Sequence, residues 1–152
     1  MTNPLYHATA LVVGDSGLLL LGESGSGKST LAAALITRGG QLIADDEVHL
    51  STAGGLLVAS PPASLAGIIE LRGFGLVRLP HLASHPLHLV VRCQTQPPER
   101  LPEPETTTLL GLTLPIITLN PVATHSAECL MLWVEAMQEG RVLPQDWLPS
   151  RN

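Results

Sequence analysis

Gly22-Glu23-Ser24-Gly25-Ser26-Gly27-Lys28-Ser29 is the stretch that decides the fold, a full match to the pattern G-x-x-x-x-G-K-[ST]. Each fixed residue type in it has a physical reason. Glycines let a backbone turn tightly about an anion and aim successive N–H groups inward, and the helix that follows adds the positive end of its dipole. A lysine at this spacing reaches the β- and γ-phosphates, and the hydroxyl after it is placed to ligate Mg²⁺. Gly22, Glu23, Ser24, Gly25, Ser26, Gly27, Lys28, Ser29 and Thr30 are therefore the candidate phosphate-binding residues, with Ser29 also a candidate metal ligand. Four fixed positions match by chance from time to time, so the flanks matter. Gly17-Leu18-Leu19-Leu20-Leu21 reads as a strand and Thr30-Leu31-Ala32-Ala33-Ala34-Leu35-Ile36 as a helix, which makes the stretch a strand–loop–helix unit.

The length, 152 residues, suits one domain over 1–152 that can bury most of its apolar surface without staples. With one Phe, one Tyr and two Trp, its core has to come from Leu, Val, Ile and Ala. Scarce aromatics argue against base-stacking nucleic-acid modules. The net charge of −5, with eight Lys and Arg spread thinly, argues against a phosphate-backbone partner. Cys93 and Cys129 read as buried, reduced thiols. No targeting segment and no run of membrane-spanning length stands out, so a cytoplasmic protein is expected.

Around the central unit, residues 5–13 read as a strand and Gly14-Asp15-Ser16-Gly17 as a tight turn, so a hairpin leads into the phosphate loop and the sheet should be mixed. The helix from Lys28 to about Thr37 should close at Arg38-Gly39-Gly40, with a basic residue in its last turn. Next come a short strand at Gln41-Leu42-Ile43-Ala44, a hairpin about Ala53-Gly54-Gly55, and an alternating strand carrying Glu70 and Arg72 on one face. A further strand is expected at 87–93, a four-proline loop over 96–105, two strands within 106–119, and an amphipathic helix at 126–139 capped by Ser126. The six histidines lack metal-ligand spacing, and His49, His81, His85, His88 and His125 read as surface or loop residues. Asp146-Trp147-Leu148-Pro149 reads as a surface end piece.

The chemistry-bearing residues outside the loop are acidic. Asp45-Asp46 closes the strand 41–44, where enzymes with this loop place a carboxylate near Mg²⁺ or its water. Two carboxylates in a row can divide the labour, one serving the metal and the other taking a proton from an attacking hydroxyl. On the alternating strand, Glu70 and Arg72 are either an exposed strand face or a carboxylate and a guanidinium facing the same site.

Taken together, His7, the loop 22–29, Leu42-Ile43-Ala44-Asp45-Asp46 and Ile69-Glu70-Leu71-Arg72-Gly73-Phe74-Gly75-Leu76-Val77 resemble the C-terminal catalytic domain of the HPr kinase/phosphorylase family. That resemblance implies an α/β P-loop kinase domain of the phosphoenolpyruvate-carboxykinase-like type, a mixed sheet with flanking helices. It implies phosphorylation of a serine of the phosphocarrier protein HPr, with ATP or pyrophosphate as donor and Mg²⁺ as cofactor, and a reverse phosphorolysis. By position it makes Lys28 a phosphate-holding catalytic residue, gives Ser29 and Glu70 to the metal, and makes Asp46 the base that accepts the serine proton, which leaves Asp45 of the acidic pair as the carboxylate for the metal. His7 matches an active-site histidine, and Arg100, in a Glu-Arg-Leu context, matches the catalytic arginine of a mobile loop. A homo-oligomer, a hexamer in the family, is implied as well.

The chain departs from the family pattern in three places. The chain is expected to be the family's short one-domain form, without its usual N-terminal domain; the loop after Val77 is cut to Arg78-Leu79-Pro80-His81; and Pro121-Val122-Ala123-Thr124-His125 stands where the family carries Gly-Arg. The last two touch partner binding or phosphorolysis. They keep two other readings open, a nucleotide-sensing module without turnover and a kinase for a small metabolite.

Overall fold

The computed structural model describes residues 4–144 and 146. Twelve strands, two α-helices and a short 3₁₀-helix (Ala63–Leu65) are formed in these residues. The strands and α-helices are β1 (Leu5–His7), β2 (Thr9–Val13), β3 (Ser16–Leu21), α1 (Lys28–Thr37), β4 (Gln41–Ala44), β5 (Glu47–Ala53) and β6 (Leu56–Ser60), then β7 (Ile68–Leu71), β8 (Gly75–Arg78), β9 (His85–Pro86), β10 (Leu89–Cys93), β11 (Glu105–Leu109), β12 (Leu112–Leu119) and α2 (Ser126–Gln138).

A six-stranded sheet in the order β11-β12-β10-β3-β2-β4 forms the middle layer. β3, β10 and β12 pair in parallel, while β2 is antiparallel to both β3 and β4, so β4 also runs with β3. The carboxyl ends of these four strands therefore share one edge, and in open α/β sheets that edge is where ligands bind. On one face Leu11, Leu18, Leu20 and Val91 pack under Leu31 and Leu35 of α1 and Leu130 and Val134 of α2. On the other, Ala10, Val12, Leu19 and Val90 pack on Val48, Leu50 and Leu57 of a four-stranded sheet, β1-β5-β6-β9. Burial on both faces is why β2 and β3 read as unbroken apolar runs.

Several expectations change in detail. Residues 5–13 are two strands, not one: the chain breaks at Ala8, leaving β1 in the small sheet and β2 in the large one. The alternating strand is a hairpin, β7–β8, and Arg72 lies in its turn, so Glu70 and Arg72 do not share a strand face. Arg38 is the C-cap of α1 and not part of its last turn; its Nη1 donates to Ala34 O at 2.9 Å. Ser126 does not cap α2. His125 occupies the cap position at φ 66°, and the Ser126 hydroxyl instead donates to Asn120 O at 2.6 Å. Leu87 and His88 lie just before β10, which begins at Leu89.

Other elements form as the residues dictate. α1 spans 28–37 and β4 spans 41–44. The β5–β6 turn puts positive φ at Gly54 (58°) and Gly55 (78°), the pattern two-residue hairpins demand. The tail beyond Asp146 lies outside the described residues. Among those residues, no helix is long and apolar enough to cross a membrane.

Candidate active site

The phosphate loop joins β3 to α1 at the shared strand edge. Gly25 and Gly27 take φ of 82° and 102°, a left-handed conformation that glycine adopts without a Cβ penalty. Crowding also selects glycine at Gly22, where a Cβ would come 2.6 Å from Ser26 Oγ and 2.7 Å from Cys93 O. Lys28, almost fully buried, turns its ammonium onto the loop's own backbone, donating to Gly22 O at 2.6 Å and Glu23 O at 3.0 Å. Ser26 Oγ is the buried side-chain polar atom that has no hydrogen-bond partner among the described residues. A buried orphan hydroxyl is costly, and its presence in an anion-binding turn beside a lysine fits an absent phosphate oxygen.

The two members of the acidic turn have opposite surroundings. Asp45 is 6% exposed. Its Oδ1 accepts from the Ser29 hydroxyl at 2.7 Å and from the Thr9 hydroxyl at 2.9 Å, and its Oδ2 accepts from the Glu70 N–H at 3.4 Å. Asp46 sits at φ 69°, a strained conformation for a residue with a side chain, and its carboxylate is 66% exposed. His7 Nδ1 lies 3.3 Å from Asp46 Oδ1, and His7 Nε2 lies 3.0 Å from Ser24 Oγ. With Nδ1–H donating to the carboxylate, the other ring nitrogen of a neutral imidazole accepts from the Ser24 hydroxyl. Three segments distant in sequence thus meet in the order Ser24, His7, Asp46.

Ser29 and Asp45, directly bonded, are the residues that could hold a divalent cation alongside phosphate oxygens. Among the described residues no three His, Cys, Asp or Glu side chains converge as a metal cage. The Glu70 backbone reaches Asp45, while its side chain, like that of Arg72, is exposed. Arg100 is exposed in the irregular segment 94–104, which leaves β10 beside Gly22, and it makes no hydrogen bond or ion pair with the described residues.

Thr9 is the site residue that sequence reasoning missed. The available signal was a lone hydroxyl inside an apolar run, and Thr9 is fully buried. His88 is likewise no free surface residue: its Nδ1 accepts from Gly17 N–H at 3.0 Å. Burial first, and then the neighbouring His85, push its pKa below the ordinary 6.5. Cys93 is buried as expected, its thiol pushed up to about 12 chiefly by desolvation, with Lys28 acting the other way. Cys129, however, is exposed, because it lies on the outer face of α2. A cavity of about 520 Å³ lies between Arg38 at the far end of α1 and Met131 and Glu135 of α2. It touches none of the phosphate-loop residues.

The family model described as the HPr Serine kinase C-terminal domain matches residues 2–138. The chain belongs to that family. Among curated members, the HPr kinase/phosphorylase of Bordetella pertussis (strain Tohama I) is 35% identical over 150 residues, covering 90% of this chain and 48% of that protein. The HPr kinase/phosphorylase of Clostridium novyi (strain NT) is 36% identical over 101 residues, 62% of this chain and 33% of that protein. The chain thus spans about half the length, or less, of these relatives. A solved HPr(Ser) kinase/phosphatase from Coxiella burnetii superposes with a TM-score of 0.79 at 28% identity, covering 90% of this chain and 97% of that one. The α/β fold with its mixed sheet and paired helices is thus that of an HPr kinase C-terminal domain.

Proposed function

We propose that this chain is a Mg²⁺-dependent protein-serine kinase that transfers a phosphoryl group from ATP to a serine of HPr or an HPr-like phosphocarrier. The observation that carries this reading is the split acidic turn, one carboxylate buried against Ser29 and the other exposed and braced by His7. Phosphoryl transfer asks a protein for positioning and charge stabilisation and for little covalent chemistry. The loop's N–H groups and Lys28 hold the donor phosphates, and a Mg²⁺ bound at Ser29 and Asp45 would supply neutralisation of the phosphate charge. Asp46, exposed where an acceptor can approach, takes the proton of the serine hydroxyl; His7 fixes its orientation. Glu70 lies close enough to Asp45 to join the metal side, and Arg100, on the loop after β10, would come to the transferring phosphate when that loop moves.

Family membership supports HPr as the acceptor, a cytoplasmic setting and assembly of several copies, the hexamer included. The phosphorylase direction uses the same residues in reverse, with Asp46 returning the proton. Incubating the purified chain with γ-labelled ATP, Mg²⁺ and HPr from its own organism tests the reading. Label should appear on a serine of HPr and vanish when inorganic phosphate is added in excess; no transfer at all would exclude an HPr kinase.

The sensing reading is motivated by the shortened loop after Val77 and by Pro121-Val122-Ala123-Thr124-His125 standing where the family carries Gly-Arg. Tight ATP binding without transfer to any HPr would select it.

A further inference from the structure

Asp46 stands at the tip of a very tight turn. Its φ of 69° and the hydrogen bond from Glu47 N–H to Asp45 O at 2.8 Å mark a γ-turn with positive φ, the rare and strained form of that turn. A residue with a side chain keeps such a conformation only where its surroundings hold it there. Two residues where the chain enters β2 supply the hold. Ala10 is in register with Ala44, which sets Ala8 and Thr9 against the acidic pair. Ala8 donates its N–H to Asp46 O at 3.1 Å, and the Thr9 hydroxyl accepts from Asp46 N–H at 3.4 Å.

The Thr9 hydroxyl is engaged on both sides, and its polarity is fixed. A carboxylate only accepts, so the Thr9 proton points at Asp45 Oδ1, 2.9 Å away, and the oxygen lone pairs are left for the Asp46 N–H. Thr9 is fully buried, so solvent does not compete for either bond. One hydroxyl thereby ties the side chain of the anchored aspartate to the backbone of the exposed one. The His7 imidazole steadies the Asp46 carboxylate itself. Thr9 acts one step deeper, on the peptide unit that aims that carboxylate.

We propose that Thr9 is a positioning residue for phosphoryl transfer: its hydroxyl holds the strained turn at Asp46 and so sets the direction from which Asp46 meets the acceptor. The inference rests on the phosphate-transfer reading above. Steady-state transfer from ATP to HPr by the whole chain, with Thr9→Val beside Thr9→Ser, tests it. Thr9→Val, close in shape, should lower kcat about 10–10²-fold, the scale that a small misplacement of a reacting group costs, and leave the KM for ATP within about twofold. Thr9→Ser, which keeps the hydroxyl, should bring kcat back to within about threefold of the wild type. Amide hydrogen exchange in Thr9→Val should quicken at least about tenfold at Asp46 and Glu47, while unchanged protection in β3 and α1 reports a folded domain. An unchanged kcat or unchanged exchange at the turn in Thr9→Val, an equal loss of kcat in Thr9→Ser, or a parallel rise in the KM for ATP would overturn the role of Thr9 alone. A wild type without transfer would overturn it together with the kinase reading.

Discussion

Asp45 and Asp46 are neighbours in sequence and opposites in surroundings. The inner side of the turn is buried, with Asp45 accepting from two hydroxyls and a backbone N–H, while the outer side is exposed, with the Asp46 carboxylate beside the His7 imidazole. Burial with several donors makes a carboxylate a fixed anchor, and exposure leaves one free to meet an incoming group. The left-handed φ of Asp46 produces the contrast, because it turns the chain so that consecutive side chains leave in different directions. One strand end thereby carries one buried and one exposed carboxylate.

The comparison breaks most visibly if the outer carboxylate is neutralised. Asp46→Asn should cut transfer to the acceptor by about 10²–10⁴-fold, the usual worth of a positioned base, with thermal midpoint and nucleotide affinity unchanged. Transfer assays beside a melting curve would check it, and a variant that still transfers at the wild-type rate removes Asp46 from the chemistry.

The inner residue should behave in reverse. Asp45→Ala strands the Ser29 and Thr9 hydroxyls in a nearly buried site, so urea denaturation should report a loss of about 1–3 kcal/mol, alongside weaker Mg²⁺ dependence of ATP binding. A smaller effect sharpens the same point. Thr9→Val keeps the shape of a fully buried side chain and removes one donor to Asp45, for an expected cost of about 1 kcal/mol and little change in ATP affinity.

The mildest test concerns the other end of β3, where His88 accepts from Gly17 N–H as a neutral ring. Its folded pKa lies below 6.5, so as pH falls through that value the unfolded chain takes up the proton first. Stability should therefore be full above the ordinary histidine range and decline below it, and His88→Gln should flatten that decline. Thermal midpoints across this range should fall in parallel for the wild type and Asp45→Ala, since the two sites sit at opposite ends of the strand.

Much of this was legible in the residues because local chemistry decides it. Glycine and lysine spacing marks the phosphate loop, apolar runs mark the buried strands, and Asp45-Asp46 marks the strand end. What could not be read depends on long-range geometry. Nothing local says that Ala8 splits one apolar run between two sheets, or that Thr9 would face a carboxylate 36 residues away. Which of two adjacent aspartates is buried was equally hidden, since a positive φ at Asp46 follows from its tertiary neighbours. The Glu70 and Arg72 alternation misled because a strand period cannot reveal that a turn begins at the second charge.

The break at Ala8 carries a further consequence. His7, on its small-sheet side, reaches Asp46, and Thr9, on its large-sheet side, reaches Asp45; Ala8 itself donates its N–H to Asp46 O at 3.1 Å. Two adjacent peptide units thus clasp two adjacent peptide units across a seam between layers. Any slip of one sheet over the other would be registered at both carboxylates together, so the seam works as a caliper whose jaws are set by the packing of the whole domain.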